Sequence, residues 1–378
     1  EPLSFPVQRF SLDNGLTVLL HRDASLPQVV VSIHFGVGSK DERPGRTGFA
    51  HLYEHLMFMG SKHVPQGGFD EIMEAAGGSN NASTSNDLTI YTDWFPSSAL
   101  ETIFDLEGDR MANLSFDPKV IESERGVVYS ERRSSVDNDN FGTLLEQLQA
   151  TAFTAHPYQF PTIGWPSDIE HWKLEDLKKF FKTYYAPNNA VLVIAGDVDP
   201  AQVFALADKY LAPLQKQPEP APITTIEPEQ QGERRIVVER ADAQSPIVAY
   251  AFHSGLGAGS KDYPTLELLT TVLSQGDSSR LHQRLVEKEQ AAVQAGAFTD
   301  QGFDPGLLTV YAMLPPGGDM AKVETLLDDE LARIARDGVT AEELAKARNL
   351  KASSFWRGMA TINGKARALG TYEVFQGD

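Results

Sequence analysis

One block of this chain occurs twice. Leu26–Asp41 (Leu-Pro-Gln-Val-Val-Val-Ser-Ile-His-Phe-Gly-Val-Gly-Ser-Lys-Asp) resembles Ser245–Asp262 (Ser-Pro-Ile-Val-Ala-Tyr-Ala-Phe-His-Ser-Gly-Leu-Gly-Ala-Gly-Ser-Lys-Asp), and each copy leads into an apolar helix that stops at a glycine, Gly60 or Gly276. A duplicated strand–loop–helix unit implies two domains on one plan, and 378 residues are enough for two cores of ordinary size. Between the copies, Pro213, Pro218, Pro220, Pro222 and Pro228 sit among Gln, Glu and Thr, the composition of an extended linker. The expected organisation is therefore a first domain over 1–213, a linker over 214–233 and a second domain over 234–378. That second part is visibly shorter. It runs out on the helix Ala341 to Trp356 and the segment Ala360 to Val374 with no closing element, as a domain missing a C-terminal piece would.

The first copy is the more legible. Asn14-Gly15 is a hairpin turn between Arg9 and Leu20, and Gln28–Phe35 is β-branched-rich, as a central strand is. Gly36-Val37-Gly38-Ser39-Lys40 lacks the Gly-Lys-Ser/Thr order of a phosphate loop and reads as a turn. Phe69 to Ala76 is a short amphipathic helix stopped by Gly77-Gly78. Small, polar, β-prone residues from Asn80 to Thr92 read as an edge strand or a hairpin arm. Helices follow over 98–113, 117–136, 144–152, 174–184 and 200–211, with an apolar strand over 189–195. Strands and helices mix without strict alternation, so the fold class is α+β: two homologous sandwich-like domains of mixed sheet and helices.

The helix of the first copy, Phe49-Ala50-His51-Leu52-Tyr53-Glu54-His55-Leu56-Met57-Phe58-Met59, is apolar at nearly every position that is not His or Glu. Two histidines four apart lie about 40° apart around a helix, and Glu54 falls on the same side. Burying three such groups is costly unless something satisfies them. A Zn²⁺ ion with two imidazoles and a free carboxylate as base would do so; two hydrogen-bonded core histidines beside a surface Glu would also do so. A third ligand is sought in Asp117–Arg132, a helix that Asp117 can cap with Pro118 in its first turn. There Glu124 and Glu131 are seven apart and stack on one face, although acid-rich faces are commonly just solvated.

His51-x-x-Glu54-His55 followed by Glu124 and Glu131 resembles the pitrilysin/insulinase family, the inverzincin zinc peptidases. The resemblance implies His51, His55 and Glu131 as ligands of one Zn²⁺ per chain, Glu54 as general base and Glu124 as a supporting catalytic group. It also implies that Asn81, Ala82 and Thr84, which match the family's Asn-Ala-x-Thr, mark the edge strand on which a peptide substrate lies as an added strand. Aligned on Gly60 and Gly276, the positions of His51, Glu54 and His55 become Glu267, Thr270 and Thr271, so the second copy keeps the shape without the metal set. One half active and one inactive is also the family pattern.

The second half departs from catalytically complete relatives, which carry there an Arg and a Tyr, seven apart. The matching positions are Val286 and Val293, with Arg280 and Arg284 nearby. Short family members such as mitochondrial processing peptidase divide labour between two subunits. The expectation is therefore a zinc endopeptidase acting on peptides or unfolded polypeptide in extended form inside a chamber, as the catalytic subunit of a heterodimer whose distinct homologous partner supplies the Arg/Tyr pair. The alternative is a non-catalytic core or adaptor subunit of a larger assembly.

A net charge of −19 gives no concentrated basic surface for nucleic acid, and no apolar run is long enough to span a membrane. With no cysteine, any zinc must be held by His and carboxylate. The chain opens at Glu1, as after removal of a signal segment, which favours a bacterial periplasm over cytoplasm or mitochondrial matrix. His21, His34, His63, His156, His171, His253 and His282 read as structural or surface groups.

Overall fold

The structure, a computed structural model, describes residues 5–241 and 243–377. Glu1–Ser4, Asp242 and Asp378, which fall at the ends of the expected domains or within the second, lie outside the described residues.

The chain forms two compact units. The first opens with the hairpin β1 (Gln8–Ser11) and β2 (Thr17–Arg22), then β3 (Gln28–Phe35), α1 (Phe49–Leu56), α2 (Gly68–Ala75), β4 (Ser79–Thr84) and β5 (Thr89–Pro96). Helices α3 (Leu100–Asn113) and α4 (Pro118–Arg132) follow; α5 (Asn140–Ala152) leaves for the second unit. Then come α6 (Pro166–His171), α7 (Leu174–Tyr184), β6 (Ala190–Gly196) and α8 (Pro200–Leu206). The strands form one sheet in the order β1-β2-β6-β3-β5-β4, mixed because β2 and β6 run parallel while the other neighbours are antiparallel. β3 lies at its centre and β4 at its edge, as their sequences imply.

The apolar run of β3 follows from burial on both faces. Val29, Val31, Ile33 and Phe35 enter the main core beneath α1, α3 and α7, whereas Val30 joins Leu19, Val193, Ala195 and Ala366 on the opposite side. That opposite side is covered by the last helix of the chain, α12 (Ile362–Gln376), fixed by Lys365 to Asp23 at 2.6 Å and Arg9 to Glu373 at 2.8 Å. Gly370 lets α12 settle onto the sheet: a Cβ there would lie 2.2 Å from Nε2 of His34. Burial, with Arg367 adding to it, pushes the His34 imidazole down to about 4, so the ring under α12 is neutral at physiological pH.

The second unit holds β7 (Ile247–His253), α9 (Tyr263–Ser274), β8 (Gln294–Thr299), β9 (Leu307–Met313), α10 (Met320–Asp337) and α11 (Ala341–Gly358), together with α5. Its antiparallel sheet has the order β7-β9-β8 around a core that includes Leu273, Leu285, Val310 and Leu327. The duplicated block gives β7 and α9 here as it gives β3 and α1 in the first unit.

The compact units and the boundaries read from sequence differ at two helices. α5 lies inside the expected first domain yet packs in the second unit, and α12 lies inside the expected second domain yet packs in the first. An amphipathic helix shows that it has an apolar face; it does not show which sheet that face covers.

The proline-rich stretch has no regular secondary structure, as its composition implies, but through Glu229 it belongs to the first compact unit. Asn188 bridges the backbone of Gln217 in both directions, at 2.9 and 3.0 Å. The Glu227 carboxylate accepts from the N–H groups of Thr154, Ala155 and His156 at 2.8, 2.9 and 2.8 Å, and from the Thr154 hydroxyl. Burial opposes ionisation of Glu227, yet these donors win and pull its pKa from 4.5 to about 2. Because the folded value is depressed, the tether contributes fully above pH 4.5 and is lost as pH falls through about 2. Glu227→Gln is therefore expected to speed proteolytic nicking of 213–229 several-fold at neutral pH, and wild type to match it only after acidification. Equal nicking rates at pH 7 would show that Glu227 does not hold this segment.

Candidate metal centre

α1 is short and almost wholly interior: Phe49, Ala50, Leu52, Tyr53 and Leu56 are all buried. The Tyr53 hydroxyl donates to the Leu177 carbonyl, and Tyr91 donates to the Tyr53 carbonyl at 2.7 Å. Its amino terminus begins at Gly48, whose φ of +89° and lack of a side chain give no cap of its own. A Cβ at Gly48 would sit 2.7 Å from the Ile163 carbonyl oxygen. The N–H groups of Gly48 and Ala50 donate instead to Glu42, at 2.7 and 2.9 Å. α4 starts as its sequence implies, with Asp117 accepting from the Lys119 N–H at 2.8 Å and Pro118 in the first turn.

Two helices distant in sequence bring three groups together. Nε2 of His51 lies 3.5 Å from one carboxylate oxygen of Glu131, and Nε2 of His55 lies 3.4 Å from the other. All three residues offer a ligand atom within 4.8 Å of one another. These separations are long for N–H···O hydrogen bonds, which cluster at about 2.7–3.2 Å. They leave room between each imidazole and the carboxylate oxygen it faces for an ion bound at about 2.0–2.1 Å. Two imidazoles and a carboxylate are also a donor set that zinc accepts. The imidazoles, His51 foremost, hold the Glu131 carboxyl below its ordinary range, so it is ionised at neutral pH. Glu131 is half-exposed and the histidines are not, which leaves one open side.

Glu124 is buried on the far side of His55, its carboxylate 3.3 Å from Nδ1. A proton on Nδ1, donated to Glu124, leaves the Nε2 lone pair facing Glu131. Glu54 stands outside the three-group set. One of its oxygens accepts from the Thr84 hydroxyl at 2.6 Å, which ties α1 to the last residue of the edge strand.

The three edge-strand residues divide. Ser85 N–H bonds to the Leu88 carbonyl at the hairpin turn, so by alternation the backbone groups of Ala82 and Thr84 point to the free edge. Asn81 folds back, its side-chain oxygen accepting from the Ala82 N–H at 2.9 Å. Thr84 faces Glu54, a contact its motif did not announce.

In the second unit, the Glu267 side chain is paired with Lys351 at 2.9 Å, and the hydroxyls of Thr270 and Thr271 return to the Glu267 carbonyl. Val286 packs against that unit's core and Val293 is exposed. Both neighbouring arginines are engaged, Arg280 with Glu343 at 2.6 Å and Arg284 with Glu289 at 3.4 Å. Several of the other histidines have local partners, such as Asp109 for His63 and Glu287 for His282. The group that reading the sequence passes over is Glu42. The signal for it is a buried helix whose N-cap position is a glycine, with no side chain to take the first N–H groups.

Comparison with known proteins gives one answer along most of the chain. Residues 17–164 match the family described as insulinase (peptidase family M16), and residues 171–351 match the peptidase M16 inactive domain. The zinc protease PqqE of Helicobacter pylori is 32% identical over 370 residues, 96% of this chain and 82% of that protein. An uncharacterized zinc protease of Bacillus subtilis, YmxG, is 23% identical over 98% of this chain and 89% of its own length. Among solved structures, a protease from Helicobacter pylori superposes with a TM-score of 0.93 at 31% identity, covering 98% of this chain and 90% of that one. A peptidase M16 inactive domain from Pseudomonas fluorescens shares the fold, with a TM-score of 0.87 at 20% identity over 98% of this chain and 88% of that one.

Proposed function

The chain belongs to the insulinase family of peptidases, M16, and from that membership we propose that it is a zinc-dependent endopeptidase acting on peptides bound in extended form. The observation that carries this reading is the convergence of His51, His55 and Glu131 from two helices. These residues would hold Zn²⁺, and Glu124 would fix the ring orientation of His55. Zinc, when bound, supplies Lewis acidity that polarises a carbonyl and lowers the pKa of water. The peptide backbone pairs with the free edge of β4 at Ala82 and Thr84, so recognition reads extended conformation more than side chains. Asn81 must release the Ala82 N–H for that pairing to form. Glu54, oriented by Thr84, takes the proton from the attacking water and later gives it to the leaving amine. The second unit, which matches the inactive domain and lacks the metal set, has no part in the proton transfers.

We place the enzyme as the catalytic subunit of a heterodimer, because Val286 and Val293 have no donor to offer a substrate. The compartment proposed is the bacterial periplasm. No described helix is long and apolar enough to cross a membrane.

The test is metal content and peptide hydrolysis measured together. Wild type is expected to carry one Zn²⁺ per chain; Glu131→Gln is expected to lose most of it, with a fall of about 10²-fold or more in hydrolysis that added zinc only partly restores. A protein purified from its native source with no zinc would favour the adaptor-subunit reading instead. Full activity of the isolated chain, equal to that of any reconstituted complex, would remove the partner from the proposal.

A further inference from the structure

The metal-bearing helix has an amino terminus that nothing within the helix satisfies. Gly48 cannot cap, and the first N–H groups of a buried helix must find acceptors or cost free energy. Glu42 supplies them from outside. It lies in the loop after β3, is only 6% exposed, and its two oxygens each take one N–H, from Gly48 and from Ala50. Ala50 is the residue before His51.

We infer that Glu42 is a positioning residue, capping α1 from outside the helix and so fixing the rotation and depth at which His51 and His55 meet Glu131. This rests on the reading of those three side chains as metal ligands. The connection is direct because α1 is only two turns long: a cap that slips moves the His51 turn with it. The surrounding loop is held by a different acid. Asp168 accepts from the N–H groups of Gly45 and Thr47 and from the Thr47 hydroxyl, at 3.1, 3.2 and 2.7 Å, and makes no bond to α1. Loop anchoring and helix capping are thus divided between two carboxylates, so they can be separated by mutation. Glu42 caps the helix whether or not it is ionised. Burial raises its pKa, the Ala50 and Gly48 donors oppose this, and Asp41 and Asp168 add to it. In either state each oxygen keeps a lone pair for its N–H.

The experiment compares full-length wild type, Glu42→Ala, Glu42→Gln and Asp168→Asn by two readouts. One is amide hydrogen exchange of the metal-free chain across Phe49–Leu56, with α3 as internal reference. The other is affinity for Zn²⁺ alone, by competition with a chelator. Glu42→Ala is expected to speed exchange in α1 about tenfold relative to α3, and to weaken zinc binding by about 10–100-fold. Glu42→Gln keeps one acceptor but sets its NH₂ against the other N–H, and falls in between; it carries both readouts if the Ala variant does not fold. Asp168→Asn is expected to loosen residues 45–47 and leave α1 exchange and zinc affinity near wild type. Glu42 variants indistinguishable from wild type in both readouts would overturn the inference, as would an Asp168→Asn effect of equal size on α1. If wild type binds no zinc, the ligand reading fails separately, and the exchange comparison still decides whether Glu42 caps the helix.

Discussion

Glu54→Gln is expected to retain zinc at the wild-type level and to lose about 10²–10⁴-fold in kcat. The two halves of that result come from different features of one helix. Glu54 is outside the convergent set of His51, His55 and Glu131, so removing its charge leaves every proposed ligand in place. What the amide cannot do is accept a proton, although it still offers an oxygen to the Thr84 hydroxyl and fills the same space. Thr84→Val should then fall between wild type and Glu54→Gln, because it leaves the base but frees its rotation. Both are to be measured on the preparation that cleaves an unfolded peptide fastest, alone or with whatever co-purifies. Turnover preserved in Glu54→Gln would remove Glu54 as the base; loss of zinc in that variant would mean it belongs with the ligands.

How much of this was legible before the structure depends on the distance over which each residue acts. The strand Gln28–Phe35 and the helix Leu174–Tyr184 agree to the residue with what the sequence implies, because their apolar patterns are local. The pairing of His51 with His55 follows from helix periodicity alone. Glu131 did not follow from any local pattern. On its own helix it is one acid among several, and only likeness to a family distinguished it from Glu122 or Glu124. The same limit explains α5 and α12, whose apolar faces were visible and whose destinations were not. Glu42, and the bond from Thr84 to Glu54, have no local signal in the sequence for a related reason. Each acts on groups that only the folded chain brings near, Glu42 on the Gly48 and Ala50 N–H groups and Thr84 on the Glu54 carboxylate.

The largest stability effect is expected from Arg110, on α3. Its guanidinium is 2% exposed, bonds both oxygens of Glu107, and lies 5.1, 4.6 and 5.0 Å from the ring centres of Phe58, Phe69 and Tyr91. Asp93 is buried close by with neither oxygen receiving a hydrogen bond. Burial, and then the Glu107 carboxylate, push Asp93 well above its ordinary range, so it keeps its proton in the folded state. Arg110 is thus the cation that makes two buried acids tolerable, and Arg110→Met leaves them without it. Removing one partner of such a buried pair costs about 3–5 kcal/mol, far more than an exposed pair would. Adding Glu107→Leu to Arg110→Met should recover part of the loss, which denaturant unfolding would show as coupling between the two sites. The pH dependence has a definite sign. Folded Asp93 holds a proton that the unfolded carboxyl releases near its model value of 3.8, so this group makes stability fall as pH rises from there towards its raised folded value. Without Arg110 that fall should extend to higher pH, because the cation that favours ionised Asp93 is gone. An Arg110→Met protein within about 1 kcal/mol of wild type at neutral pH would show that the rings hold this corner of the core without the charge. Since Tyr91, one of those rings, also bonds the backbone of α1 at Tyr53, zinc affinity measured in the same variant tests whether the cage supports the helix of His51 and His55 as well as the core.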